Sequence, residues 1–296
     1  MSWRRFSPGN LARCTLKAAE HTIITHDGIE HAGYLAFLGL LAMFPFLVFV
    51  FSIVGFLGEG EAGAQFISTL LRSMPDSVVA ALKPRINEIT SGPPQGLLTI
   101  SILGAIWTAS SAVEGLRTIL NRAYHVGTPP AYWFRRTLSV LQLFVFTSLM
   151  IAGMALMLVI PLTVDYFEMI AGVDFIYERG VGSIFEYVLL GVVFLSVCFL
   201  YYLLPNIKQT LFAVVPGAAI VTMLWLGSLK LFTAYLANFD QVNLIYGSLG
   251  GIIAALLFFY ICNVIFIFGA EFNYQIVQLR GKRVVQKEEA PPPVAD

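Results

Sequence analysis

Three polar residues share one face of a helix that leaves the second apolar segment of the chain. Glu114, Arg117 and Asn121 stand at positions i, i+3 and i+7, so a helix presents them as a single stripe. Ionisable groups near lipid are costly to bury and usually face the interior of a bundle or water. The sequence therefore predicts a polar cluster on this stripe, joined by Glu271 and Asn273 at the end of the last apolar segment.

Two interpretations of this cluster are open. In the first, Glu271 or Glu114 pairs with Arg117 across helices and lines an inward-facing cavity. In the second, the same groups form an interfacial salt bridge that only fixes helix ends. Lys230 lies roughly 28 Å along the fifth apolar segment, so it is either a snorkelling anchor near the outer surface or a contact for a solute or ion.

The histidines argue against a metal centre when the sequence is taken alone. His21, His26 and His31 are five residues apart, so on a helix each is rotated by about 140° from the last, and His125 stands far from them in the chain. We predict no metal and no cofactor, and we reject nuclease activity. Walker A, GxSxG and HExxH patterns are missing from the sequence, which predicts that the protein is not an enzyme.

The composition is that of a membrane protein. Hydrophobic residues make up 57% of the 296 residues and charged residues 12%, and the net charge is zero. Soluble domains carry about a quarter charged residues. The balance gives no reason to expect nucleic acid as a partner; the expected partners are the lipid bilayer and a small solute or ion. Oligomeric state is left open.

The apolar residues are clustered in runs long enough to cross a bilayer core of about 30 Å. We predict an all-α, polytopic membrane protein with a cytoplasmic interfacial helix in residues 1–32, a membrane domain over 33–276 and a disordered tail over 277–296. An outer helical hairpin is expected between the first two spans. The six predicted spans are approximately 33–57, 97–113, 138–163, 184–204, 211–232 and 247–273.

Lysine and arginine set the orientation. With the N-terminus inside, the cytoplasmic segments carry thirteen of these residues and the outer segments four. The positive-inside rule then places both termini in the cytoplasm.

Prolines and glycines interrupt the predicted spans. They mark either helix breaks with a mechanical role or simple packing positions, and Gly247 and Gly251 form a GxxxG pattern of the kind that brings membrane helices close together. These positions are Pro45, Pro205, Pro216, Gly217, Gly247, Gly250 and Gly251.

Several longer motifs resemble the YihY/BrkB family of bacterial inner-membrane proteins, once described as ribonuclease BN. The similarity covers roughly residues 28 to 276. It is carried by AGYLAFLGLLAMFPFLVFVFSIVGFLG, WTASSAVEGLRTILNRAYHV, YYLLPN, PGAAIVTMLWLGS and AYLANFD…YGSLGGIIAALLFFYICNVIFIFGAEFN. Phe259 stands where the family often has tryptophan. The resemblance implies a six-span inner-membrane protein of unsettled molecular function.

Two functions remain compatible with the sequence. Transport or permeation of a small solute or ion is favoured slightly, because Glu114 and Lys230 are retained near lipid. The alternative is a non-transporting envelope or scaffold protein that binds a partner or lipid.

Overall fold

The computed structural model describes residues 8–25, 27–57, 68, 95–126, 131–171, 181–237, 249–280 and 285–286, and these are almost entirely helical. A π-helical segment, His21–Thr25, follows the first helix. The α-helices are α1 (Pro8–Glu20), α2 (Gly28–Leu57), α3 (Gln95–Ala123), α4 (Tyr132–Ala171), α5 (Val181–Leu203), α6 (Leu211–Ala237) and α7 (Leu249–Leu279).

Three described segments are long and apolar enough to cross a membrane: Tyr132–Gly153, Leu211–Tyr235 and Gly250–Leu279. Gly28–Met43 and Tyr187–Leu203 are shorter apolar helices. Large apolar side chains are exposed along these elements, among them Phe212 at 81%. Exposed apolar side chains of this kind are compatible with contact with lipid. In water they would form an unusually large apolar surface.

The helix bounds differ from the predicted spans at several ends. α4 continues through Pro161 to Ala171, so Asp165 and Glu168 lie in its last turns, beyond the predicted end of the third span at residue 163. α2 already begins at Gly28, and α7 extends to Leu279. The predicted outer hairpin falls almost wholly outside the described residues.

Two of the three prolines predicted as helix breaks or packing positions lie inside helices, and the third lies just after one. α2 continues through Pro45, and α6 continues through Pro216, its sixth residue, where the missing N–H removes one helical hydrogen bond. Pro205 lies in the tight turn that ends α5, as a residue unable to continue a helix would.

The chain divides into two compact units. The first comprises Met1–Leu40, Ala112–Gln142 and Phe194–Asp296, and it contains every residue of the predicted polar cluster. The second comprises Leu41–Ser111 and Leu143–Val193. In the second unit Phe49 packs edge-on against Phe144, with ring centroids 5.0 Å apart.

In the first unit, α1 packs on α7. Leu11, Cys14 and Ala18 repeat at helical spacing, and Cys14 and Ala18 are buried against Phe272 and Ile276. The N-terminal helix predicted to lie in the lipid headgroups therefore has its apolar stripe against protein, while Leu16 on another face is 70% exposed.

The close approach of α6 to α7 depends on glycines other than those of the GxxxG pattern. A methyl group on Gly217 would fall 2.6 Å from the Asn273 Cγ atom, and one on Gly269 would fall 2.5 Å from the Tyr201 hydroxyl oxygen. Gly251, by contrast, has open space where a Cβ would stand. Gly247 lies outside the described residues. Among these positions, Gly217 and Gly269 make the tight helix contact.

A short β-bridge completes the first unit. Ile207–Lys208 pairs antiparallel with Val285–Gln286, in the register Ile207 to Gln286 and Lys208 to Val285. The second strand falls within the segment that the sequence predicts to be disordered, so the start of the tail is paired to the turn after α5.

Candidate functional site

Glu114 is the centre of a polar cluster that links α3 to α4. Its carboxylate lies 3.6 Å from the Arg117 Nε atom on its own helix and 3.1 Å from the Arg135 Nη1 atom on α4. The Ser139 hydroxyl donates to it at 2.8 Å. One carboxylate thus holds two guanidinium groups and a hydroxyl, and we call Glu114, Arg117, Arg135, Ser139 and Gln142 the Glu114 cluster.

Arg117 is almost fully buried and connects the cluster, through Gln142, to the end of α5. It is 2% exposed and donates a short hydrogen bond to the Gln142 Oε1 atom. Gln142 in turn donates from Nε2 to the Leu203 carbonyl oxygen at 2.8 Å. Burial lowers the pKa of Arg117, nearby Glu114 opposes that shift, and Arg135 adds to it. The guanidinium still carries its charge, because arginine titrates far above neutral pH.

Asn121, the third residue of the predicted stripe, fixes the turn after α5. It is buried, and its Oδ1 atom accepts a hydrogen bond from the Asn206 backbone N–H at 2.7 Å. The Asn121 side chain thereby accepts from a backbone N–H just after Pro205, where the turn offers that N–H no helical carbonyl.

Asn273 holds α6 against α7. Its Oδ1 atom accepts from the Gly217 N–H at 2.7 Å, and its Nδ2 atom donates to the Val214 carbonyl oxygen at 3.1 Å. Nδ2 also lies 3.5 Å from the Tyr124 hydroxyl. A side chain that is 1% exposed therefore pairs backbone groups in the first turns of α6, where Pro216 interrupts the regular helical bonding.

We expect Asn273→Ala to lower the free energy of unfolding by about 2 kcal/mol, because it leaves a buried N–H and a buried carbonyl without their partner. Asn263→Ala on the same helix is the control, since Asn263 bonds only to the Phe259 carbonyl of its own helix among the described contacts. Unfolding by SDS in mixed micelles measures both. Equal losses in the two variants would contradict the role given to Asn273.

The described contacts of Glu271 and of Arg117 are with different residues. The structure places Arg117 beside Glu114 and Gln142, whereas the Glu271 Oε2 atom lies 3.5 Å from the His21 Nδ1 atom. Of the two pairings that the sequence suggested, the one with Glu114 is present, and it lies within α3 rather than across helices. Glu271 is fully buried and belongs to a second group of polar side chains.

That second group brings together three segments that are far apart in the chain. His21 and His125 have ring centroids 5.9 Å apart, and one ligand atom from each of His21, His125 and Glu271 lies within 4.8 Å of the others. His125 stacks on Tyr274 at 4.1 Å, and Gln275 lies 3.4 Å from His21. We call His21, His125 and Glu271 the histidine–glutamate cluster. His125, which is far from the other histidines in the sequence, therefore lies beside His21 in the fold.

The backbone at the end of α3 presents His125 to this cluster. The Val126 N–H bonds to the Asn121 carbonyl oxygen, and the His125 N–H bonds to the Arg122 carbonyl oxygen. This is the Schellman pattern, and it puts His125 in the left-handed region with φ of 58°. Glycine usually fills that position, so the sequence gives no sign of the helix end or of the direction in which His125 points.

Sequence reasoning found the stripe on α3 but missed most of its partners. Arg135, Ser139 and Gln142 follow helical spacing on α4, and that periodicity is the signal that identifies them. Lys230 is exposed on α6, and its role as an outer contact stays a prediction. Gly250 lies in the first turn of α7.

Comparison with known proteins supports one family. The model of the family described as "Virulence factor BrkB" matches residues 21–293. YfkH of Bacillus subtilis, whose name describes it as ribonuclease-like, is 28% identical over 253 residues, which cover 84% of this chain and 90% of YfkH. A UPF0761 membrane protein of Vibrio campbellii is 27% identical over 256 residues, covering 84% of this chain and 77% of that protein.

A UPF0761 membrane protein of Alteromonas mediterranea is similar at 24% identity, over 82% of this chain and 80% of its own length. No solved structure matches the chain. The ribonuclease-like name of YfkH is no evidence of enzymatic activity in this protein. With the family model covering nearly the whole sequence, and with membrane-length apolar helices in the fold, the chain belongs to the BrkB family of membrane proteins.

Proposed function

We propose that the protein transports, or allows the permeation of, a small solute or ion across the bacterial inner membrane. The observation that supports this most is the Glu114 cluster, where the buried Arg117 is held beside the partly exposed Glu114 and Arg135 in a helical membrane protein. Charged residues in such a position are expensive to maintain and are characteristic of solute and ion pathways.

The charges in the cluster favour an anion. Arg117 and Arg135 face the single carboxylate of Glu114, so these three residues carry a formal charge of +1. Among the described contacts, the buried Nε atoms of Arg117 and Arg135 and the buried Oε1 atom of Glu114 make no hydrogen bond, although Arg117 Nε lies 3.6 Å from the Glu114 carboxylate. Buried donors without an acceptor are unfavourable, and an anionic group passing the cluster would supply one.

The topology is part of the proposal. Six spans with both termini in the cytoplasm follow from the apolar runs and from the excess of lysine and arginine in the segments assigned to the inside. In this orientation the cluster borders the cytoplasmic mouth of the pathway. The excess of basic residues there would also raise the local concentration of anions.

Flux into proteoliposomes tests the proposal. We expect purified protein to increase the flux of at least one member of a panel of inorganic and small organic anions and cations, with the anions favoured. Glu114→Gln should change that flux by at least about tenfold, because the neutral amide holds the two guanidiniums less firmly than the carboxylate does and leaves their positive charge unbalanced.

Glu20→Gln is the matched control, since Glu20 is an exposed acid of the same unit and should leave flux unchanged. Size-exclusion profiles and melting temperatures of both variants establish that they are folded. If the wild-type protein gives no flux for any member of the panel, the transport proposal is wrong. The hypothesis of a non-transporting envelope or scaffold protein is then favoured. Identical flux in wild type and Glu114→Gln would show that the Glu114 cluster is not part of the transport pathway.

A further inference from the structure

We propose that the histidine–glutamate cluster is a binding site for a divalent transition-metal ion of the Zn²⁺ type. The three side chains come from the π-helical segment after α1, the turn that follows α3 and the last third of α7. Two imidazoles and one carboxylate are a donor set that such ions prefer, with a fourth position left for water.

The distances suit a small ion. A tetrahedral zinc ion with bonds of about 2.0–2.1 Å holds its ligand atoms about 3.3 Å apart. His21 Nδ1 and Glu271 Oε2 are already separated by 3.5 Å. All three ligand atoms lie within 4.8 Å of one another, so the set is close to coordinating distance before any ion is added.

The surroundings supply both rigidity and access. Glu271 is fully buried, and the His125 ring is stacked on Tyr274, three residues further along α7. Gln275, one turn after Glu271, contacts His21 and limits its ring orientation. His125 itself is exposed, which gives an ion a direct route from the aqueous phase.

The backbone of His125 adds a separate argument. A residue other than glycine in the left-handed region costs about 1 kcal/mol or more, so a helix end of this kind normally carries glycine or asparagine. Histidine at this position directs an imidazole toward Glu271 that glycine could not supply. The bound ion would tie the N-terminal helix to α3 and α7, and this role does not depend on the proposed transport.

Metal binding by the purified, tag-free full-length protein in detergent tests the site. After treatment with a chelator, we expect the protein to bind about one Zn²⁺ per chain, and Co²⁺ to give the visible absorption of a tetrahedral site. Saturating Zn²⁺ should also raise the melting temperature, since the ion binds only the folded arrangement.

Two variants and a control make the result specific. His125→Asn keeps a residue that tolerates the left-handed backbone but replaces imidazole with a poor ligand, and Glu271→Gln keeps the size of the buried side chain. Each should weaken Zn²⁺ binding at least tenfold and abolish the shift in melting temperature. His31→Asn, a partly exposed histidine of the same unit, should change neither.

Zn²⁺ binding that is absent, or that is equal in wild type, His125→Asn and Glu271→Gln, would overturn the proposal. The cluster would then be a contact between His21 and Glu271 that fixes α1 without an ion. Because binding is measured in detergent and flux in vesicles, failure of this site and failure of the transport proposal give different results.

Discussion

Arg117→Met is expected to lower the free energy of unfolding by about 3–5 kcal/mol. The Arg117 side chain is 3% exposed and is the partner of both Glu114 and Gln142. Methionine fills most of the same volume, so little of the loss comes from a cavity. The loss comes from the Glu114 carboxylate, which is left partly buried with one guanidinium fewer, and from Gln142, whose carbonyl loses its donor.

Arg122→Met provides the comparison on the same helix. Arg122 pairs with Asp27 at 2.8 Å, a shorter separation than in the Arg117–Glu114 pair, but both side chains are about half exposed. Exposed pairs contribute at most about 1 kcal/mol because water solvates the separated charges. Unfolding by SDS in mixed micelles, followed by tryptophan fluorescence, measures the two variants side by side. Similar losses would show that burial does not determine how much the Arg117 contacts contribute to the free energy of unfolding.

The helical segments could be predicted from the sequence because each depends on a local property of the chain. A run of apolar residues long enough for the bilayer predicts a helix wherever it is folded, and the chain has several. The helical continuation of α3 beyond its span follows from the same period that aligns Glu114, Arg117 and Asn121. The end of the third span, predicted near residue 163, does not coincide with a helix end, since α4 continues past Pro161 to Ala171. A proline ends a helix only when the freed carbonyl is not satisfied in another way.

The partners of the site residues depend on how helices pack, and the sequence does not encode that locally. Asn121 is 85 residues from the backbone N–H that it caps, and the two histidines reach Glu271 from the first half of the chain. Helical spacing shows that Glu271, Tyr274 and Gln275 share a face of α7, but not that this face meets His125. The left-handed end of α3 decides that contact, and no glycine marks it.

Gly217 and Gly269 show that helix packing, too, depends on residues that no local sequence pattern connects. The GxxxG pattern at Gly247 and Gly251 is a local signal, yet Gly251 has no neighbour within 4 Å of its Cβ position. Gly217 and Gly269 lie on different helices, so no spacing in the sequence connects them. Their contact allows the Asn273 side chain to reach the Gly217 N–H, and it therefore determines both the helix separation and the hydrogen bonds of the α6 start.

Gly217→Ala should accordingly lower the free energy of unfolding by about 3 kcal/mol, at the upper end of the range for overpacked interiors. The added methyl group would overlap the Asn273 side chain at 2.6 Å and would come closer still to the Gly269 carbonyl oxygen. Since one of these obstacles is backbone, the strain cannot be relieved by a rotamer change alone; α6 and α7 must separate, and the hydrogen bond from Gly217 to Asn273 must lengthen.

Gly227→Ala on the same helix is the matched control, because nothing lies within 4 Å of its Cβ position. Alanine is favoured over glycine in a helix by about 1 kcal/mol, so this variant should be neutral or slightly more stable. SDS unfolding of the two variants separates the intrinsic preference of the helix from the cost of the contact. A Gly217→Ala protein as stable as Gly227→Ala would mean that α6 and α7 are not held at the separation that the structure gives them.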